Sequence, residues 1–336
     1  MFLLDSWFVS YDGRECCGAT LIERRGNANR QTAKRWLCAL ALHALARSLY
    51  NARLNPDFSS TRKSPAMARV LAISSYVVHG HVGLCAIVPA LQAIGHEVMA
   101  VPSVVLSNHY GYRNVTGVDV AAVQLTAILE GLKANGWLDN VDAVITGYLP
   151  SPEHVEAITA MLARLGETLP DVLYLCDPVL GDDPDGLYVS AELAAAVRDA
   201  LVPLADVVTP NRFELAWLTG SEVASAADAN RAAKQLGDDV SVVTTSIPAG
   251  DGLIENVLAG WREDDVIVVH ERSGVPRGTG DLFAALYLGF ILDEYDESDA
   301  LAKATGVVDE VVEASLGREE LQIAGILFDV ISGGDA

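Results

Sequence analysis

The sequence predicts an α/β fold: a central, mostly parallel sheet flanked by helices in three layers. Two observations carry that expectation. From Met67 onward, apolar runs of strand length alternate with amphipathic stretches of helical length, the pattern of successive β-α units. Polar clusters rich in Gly, Asp and Asn follow those runs, and open α/β sheets bind ligands outside the carboxyl ends of their strands.

Taken in order, the first strand is expected at 70–74, in a stretch that opens Arg69-Val-Leu-Ala-Ile73, and a helix at 83–93 follows it. A strand at 97–102 precedes a helix at 120–135, and a strand at 143–147 precedes a helix at 153–165. The run 172–177 is paired with a helix at 192–201, and 207–209 leads into a helix whose apolar face holds Phe213, Leu215 and Trp217. A helix at 226–236 and a strand at 240–245 come next. The last expected element, 279–292, is apolar on nearly every side and so reads as a buried helix. One domain over residues 67–333 accounts for these elements, preceded by an extension, 1–66.

The extension differs in charge. It holds 10 Lys/Arg against 5 Asp/Glu, whereas the rest of the chain holds 13 against 40, within a net charge of −22. A body that acidic repels phosphate backbones, so nucleic acid is excluded as a partner. The apolar stretch from Trp36 to Tyr50 is too short and too interrupted to span a bilayer. Two readings of the extension stand: a disordered or targeting leader, or sequence upstream of a true start at Met67. Asp5, Asp12, Glu15 and Glu23 argue against an acid-poor transit peptide. Cys16, Cys17, Cys38, Cys85 and Cys176 match neither a zinc site nor an even disulfide framework, which points to a reducing, cytoplasmic setting.

Three clusters have chemical content. Arg277-Gly-Thr-Gly-Asp281 runs into the buried helix, and a glycine-led helix start offers backbone N–H groups and a positive dipole end to a developing phosphoryl charge. There Asp281 can take the proton of an attacking hydroxyl, or simply cap the helix. Cys176-Asp-Pro-Val-Leu-Gly-Asp-Asp183 is an acidic turn suited to hydrated magnesium, or a solvated loop. Thr209-Pro-Asn-Arg-Phe-Glu214 places Asn211 and Glu214 in a helix's first turn, which also fits a capping box. Together the three supply an anion hole, a base and metal ligands, the inventory of phosphoryl transfer. The chain has no Walker A loop, and no Gly-x-Gly-x-x-Gly follows its first strand.

From Met67 onward the chain resembles the pyridoxal kinases of the ribokinase-like superfamily. The resemblance rests on Ala72-Ile-Ser-Ser-Tyr-Val-Val-His-Gly-His-Val-Gly83, Val105-Leu-Ser-Asn-His-Tyr-Gly-Tyr112, Thr146-Gly-Tyr-Leu149, the three clusters above, Thr244-Thr-Ser246 and Glu320-Leu-Gln-Ile323. It implies ATP-dependent phosphorylation of the pyridoxal 5'-hydroxymethyl group, with pyridoxine and pyridoxamine as further substrates. Asp281 is then the base, and Gly278, Thr279 and Gly280 form the anion hole. Asp182 and Glu214 organise Mg2+, while Asp177, Tyr188, Thr209, Asn211, Thr245 and Ser246 serve the nucleotide. Ser75, Val82, Tyr110 and Tyr148 line the pyridine pocket. The resemblance also implies a homodimer and K+ assistance.

The chain departs from that pattern in places. Ser74-Ser-Tyr-Val77 stands where Gln-Ser-His-Val is usual, and Tyr110 where Thr commonly follows Ser-Asn-His. The segment 246–278 reads as short. A hydroxymethylpyrimidine kinase and a catalytically silent B6-binding protein are the competing readings. His79-Gly-His81 suggests a metal pair without a third ligand nearby, and Cys176 a packed thiol rather than a nucleophile.

Overall fold

The computed structural model describes residues 67–331, so the expectations for the extension lie outside the described residues. The chain enters on β1 (Arg69–Val77), and β2 (Glu97–Leu106) pairs with it in parallel after helix α1 (Leu84–Ala93). On the other side of β1 come β4 (Ala143–Thr146), β5 (Leu173–Cys176), β8 (Val207–Val208) and β9 (Ser241–Gly250), all parallel. Antiparallel strands close both edges: β3 (Gly117–Asp119) beside β2, then β10 (Leu253–Ala259) and β11 (Asp264–His270) beyond β9. The order across the sheet is β11-β10-β9-β8-β5-β4-β1-β2-β3.

One face of the sheet is covered by α1, α7 (Thr279–Leu292), α8 (Glu297–Ser315) and α9 (Ile323–Ile331). Every residue of α7 from Leu282 to Gly289 is buried, as its continuous apolar content requires. The second layer runs through α2 (Ala122–Ala134), α3 (Pro152–Thr168), α4 (Ala191–Ala196), α5 (Arg212–Thr219) and α6 (Ala226–Ala233). A two-stranded hairpin, β6 (Gly181–Asp182) with β7 (Gly186–Leu187), stands apart from the main sheet.

Several boundaries differ from expectation. The helix expected at 192–201 changes to a π-helical turn at Val197–Leu201, and the one at 226–236 ends at Ala233. The segment 246–278, read as short, carries the end of β9 and all of β10 and β11. Antiparallel strands joined directly carry no intervening helix, so they interrupt the β-α alternation used to find strands. Among the described residues, no helix is long and apolar enough to cross a membrane.

Candidate active site

The parallel strands end on one edge, and the polar clusters meet there. Gly278 caps α7 with φ 109°, and a Cβ at that position would lie 1.8 Å from the His81 carbonyl oxygen. Only glycine fits so close an approach in that conformation. The first bond of α7 runs from the Leu282 N–H to the Gly278 carbonyl at 3.0 Å. Thr279, Gly280 and Asp281 therefore lie in the turn whose N–H groups an α-helix leaves without intrahelical partners, at its positive end. Asp281 is partly buried, with the Gly83 N–H near enough to its carboxyl to stabilise the ionised form. Burial raises its carboxyl to about 6, against the pull of that N–H.

Asp177 lies on the floor of the cleft, at the end of β5, and accepts a hydrogen bond from the Thr209 hydroxyl at 3.2 Å. Burial, with Asp281 and Glu214 as neighbouring carboxylates, holds it well above the usual Asp range. Glu214 is buried in the first turn of α5. One of its oxygens accepts the N–H groups of Leu180 (2.8 Å) and Gly181 (3.4 Å), and the other accepts the N–H of Asn211 (2.9 Å). The Asn211 side chain completes a capping box by accepting the Glu214 N–H and also donates to the Gly181 carbonyl at 2.8 Å. The cap therefore does two jobs: it starts α5 and pins the entry to the β6–β7 hairpin. Asp182 lies exposed on that hairpin, its carboxyl raised chiefly by partial desolvation.

Arg277 reaches from the glycine turn to the far side of this hairpin. Its guanidinium donates to the Tyr188 hydroxyl at 3.1 Å and to Asp185 at 3.2 Å, and it lies 5.5 Å from the Tyr188 ring centroid. Thr245 is tied to the cluster through a backbone bridge to Asn211, its N–H bonded to the Pro210 carbonyl at 3.0 Å. Ser246 is exposed at φ 62°, its N–H donated to Asn256. Of the two, Thr245 is the one joined to Asn211.

The other wall comes from β1, β2 and β4. Val82 and Tyr148 pack on one apolar cluster with Val77, Val104 and Leu106. The buried Ser74 hydroxyl accepts the Tyr148 N–H at 3.1 Å. Ser75 is also buried, and its backbone presses on Gly83 closely enough that a Cβ there would lie 2.3 Å from the Ser75 carbonyl oxygen. Tyr110 is 64% exposed yet near enough to Tyr148 to raise its hydroxyl, which burial chiefly pushes to about 12. Cys176 is a packed thiol, raised by burial to about 12.

Sequence reasoning left out the Gly83 N–H beside Asp281 and the reach of Arg277 across the cleft. The motif Val-Gly83 carried the first signal, because a glycine beside an expected substrate segment marks a close backbone approach. The second had none, since Arg277 and Asp185 are joined only by the fold.

A sheet of this order, layered on both faces, with a glycine-led helix opening at its strand ends in place of a Walker loop, defines a ribokinase-like kinase. A family model described as phosphomethylpyrimidine kinase matches residues 80–323. A pyridoxal kinase of Corynebacterium diphtheriae is 34% identical over 263 residues, covering 76% of this chain and 92% of that one. Human pyridoxal kinase is 35% identical over 248 residues, 66% of this chain and 77% of that one. The solved pyridoxal kinase of Leishmania donovani in complex with ADP and pyridoxine superposes with a TM-score of 0.73 at 33% identity, covering 80% of this chain and 96% of that one. This chain belongs to the pyridoxal kinase family.

Proposed function

We propose that this chain transfers the γ-phosphoryl group of ATP to the 5'-hydroxymethyl oxygen of pyridoxal, giving pyridoxal 5'-phosphate and ADP, and that it accepts pyridoxine and pyridoxamine as well. The observation that carries the reading is Asp281, in the first turn of a helix opened by Gly278 at the ends of the parallel strands. In this mechanism the Asp281 carboxylate takes the hydroxymethyl proton as that oxygen attacks the γ-phosphorus. Gly278, Thr279 and Gly280 offer backbone N–H groups to the charge on the transferring group. Val82, Ser75, Tyr110 and Tyr148 seat the pyridine ring, with the tyrosines supplying aromatic faces.

Asp177, Tyr188, Thr209, Asn211, Thr245 and Ser246 form the nucleotide side, and Arg277 adds a cation beside the phosphates. The donor set near the hairpin is all oxygen, which suits Mg2+. Asp182 has its carboxylate exposed on β6, whereas both Glu214 oxygens accept backbone N–H groups. Asp182 is thus the direct holder, and Glu214 acts by fixing the hairpin that carries it. When bound, the ion neutralises charge on the ATP phosphates. The same reading includes K+ assistance and a homodimer, which rest on the family resemblance, and a cytoplasmic enzyme, which rests on the cysteine pattern.

The test is turnover by the full chain with Mg2+ and K+, each candidate alcohol offered separately and the product identified by mass. Pyridoxal-dependent formation of pyridoxal 5'-phosphate supports the reading, and hydroxymethylpyrimidine as the better substrate overturns it. Asp281→Asn is expected to lower kcat by about 10²–10⁴-fold, the usual worth of a general base, while pyridoxal still binds. Full activity in that variant removes Asp281 from the chemistry.

A further inference from the structure

The Glu320 carboxylate is buried on the same side of the cleft as the pyridine pocket, and the mechanism above does not use it. It comes from the segment between α8 and α9, more than 200 residues downstream of everything it touches. One oxygen accepts the Tyr112 hydroxyl at 2.5 Å, and the other accepts the His81 N–H at 3.2 Å. His79 and His109 stand at its rim, each with Nε2 within 4 Å of the first oxygen, at 3.8 and 3.7 Å. Gly80 lies directly against it: at φ 113°, a Cβ there would meet the carboxylate at 3.0 Å.

These contacts join two separate walls. Tyr112 and His109 belong to the loop 107–116, whose ends are tied by the Ser107 N–H to the Thr116 carbonyl at 2.7 Å. Inside that loop the Gly111 N–H donates to His109 at 3.0 Å, and the His109 and Tyr112 rings lie 4.7 Å apart. The loop is thus a self-bonded unit, with Tyr110 at its tip. His81 belongs to the turn after β1, which leads directly to Val82 and to Gly83, whose N–H lies beside Asp281. The His81 carbonyl also sets the approach of Gly278.

We propose that Glu320 is a positioning residue for the substrate side of the site, clamping the 107–116 loop onto the turn that carries Val82 and Gly83. The proposal rests on the function proposed above for its kinetic readout. A phenol hydroxyl donated to a buried carboxylate at 2.5 Å is a strong, charge-assisted bond, and it is the shorter of two side-chain contacts between that loop and Glu320, His109 being the other at 3.7 Å. Without it the loop keeps its internal bonds but loses its registration on the pocket. The nucleotide-side residues Asp177, Thr209, Asn211 and Thr245 bond to one another and not to Glu320; the clamped loop meets that side only where Gly111 approaches Arg277.

The experiment uses the full chain and the variants Glu320→Ala, Glu320→Gln, Tyr112→Phe and the double variant Glu320→Ala/Tyr112→Phe. KM for pyridoxal is expected to rise about tenfold in Glu320→Ala and Tyr112→Phe, the size of one charge-assisted bond, while KM for ATP stays within about twofold. Glu320→Gln, which keeps an acceptor oxygen, recovers part of the loss. The double variant is no worse than the worse single one, because both remove one interaction. An unchanged KM for pyridoxal in Tyr112→Phe, equal rises for both substrates, or additive losses overturn the proposal. Hydrogen exchange gives a second, substrate-independent readout: amides of 107–116 should exchange faster in both single variants, with the rest of the sheet unchanged. Unaltered exchange there overturns the clamp even if pyridoxal is not the substrate. Absence of pyridoxal turnover in the wild type counts against the proposed function alone.

Discussion

Asp281 shows how one burial sets both an activity and its cost. Its carboxyl is raised from 3.8 to about 6, so as a base it is ionised only above that value. The expected kcat therefore climbs as pH rises through about 6 and is level above pH 7, on the limb this group controls. A kcat independent of pH between 5 and 7 would remove Asp281 as the titrating base. Stability runs the opposite way. A carboxyl whose folded pKa exceeds its unfolded one binds more protons when folded, so stability falls as pH rises from about 4 through 6. At about 1.4 kcal/mol per pKa unit, ionised Asp281 costs on the order of 2–3 kcal/mol at neutral pH. The Asp281→Asn variant, with its strongly lowered kcat, should thus unfold at higher urea than the wild type at pH 7.5, with the gap closing at pH 4.

At the scale of elements, α5 and the β6–β7 hairpin are joined by two side chains from one turn. Asn211 caps α5 and donates to the Gly181 carbonyl, while Glu214 accepts the Leu180 and Gly181 N–H groups. Asn211→Ala removes both the cap and the tie to Gly181. The expected loss is about 1 kcal/mol of stability for the cap, measured by urea unfolding. KM for ATP should rise several-fold, because the hairpin carrying Asp182 loses an anchor, while KM for pyridoxal holds. Equal changes in the two constants would mean the hairpin does not serve the nucleotide. The capping box was legible as Asn211 followed by Glu214, since capping is a local event within four residues. Its second job was not, because the Leu180–Gly181 backbone reaches Glu214 only through the packing of the hairpin on α5. The glycine turn at 278 was legible for the same reason as the box. The Glu320 clamp was visible only as a family-like stretch, since its partners are brought to it by the tertiary fold.

For the whole molecule, the parallel centre of the sheet could be read because β1, β4, β5 and β8 each carry a short apolar run and each lead on to a helix. The β10–β11 edge could not be read that way. Along β11, exposed and half-buried residues alternate, with Val266 and Val268 turned outward, so apolar content there does not track burial. The charge of the chain is a global property that the sequence states directly, and it has a consequence for the folded body. Past residue 66 the sequence holds 13 basic against 40 acidic residues. Among the described residues eight of the 13 basic side chains are paired with a carboxylate at close range, yet pairs such as Arg69–Glu97 and Lys234–Asp264 are exposed, where each contributes about 0–1 kcal/mol, and the acidic residues outnumber the basic ones about threefold. Net repulsion among the remaining carboxylates therefore outweighs local pairing at low ionic strength. Salt shortens the reach of that repulsion from about 30 Å at 0.01 M to about 8 Å at 0.15 M, while contact pairs are screened less. The full chain at pH 7.5 should accordingly melt several degrees higher in 0.15 M than in 0.01 M sodium chloride. Potassium chloride should act alike in the absence of nucleotide, since the effect is screening. A Tm that falls with salt would mean that ion pairs, not repulsion, dominate the surface of this fold.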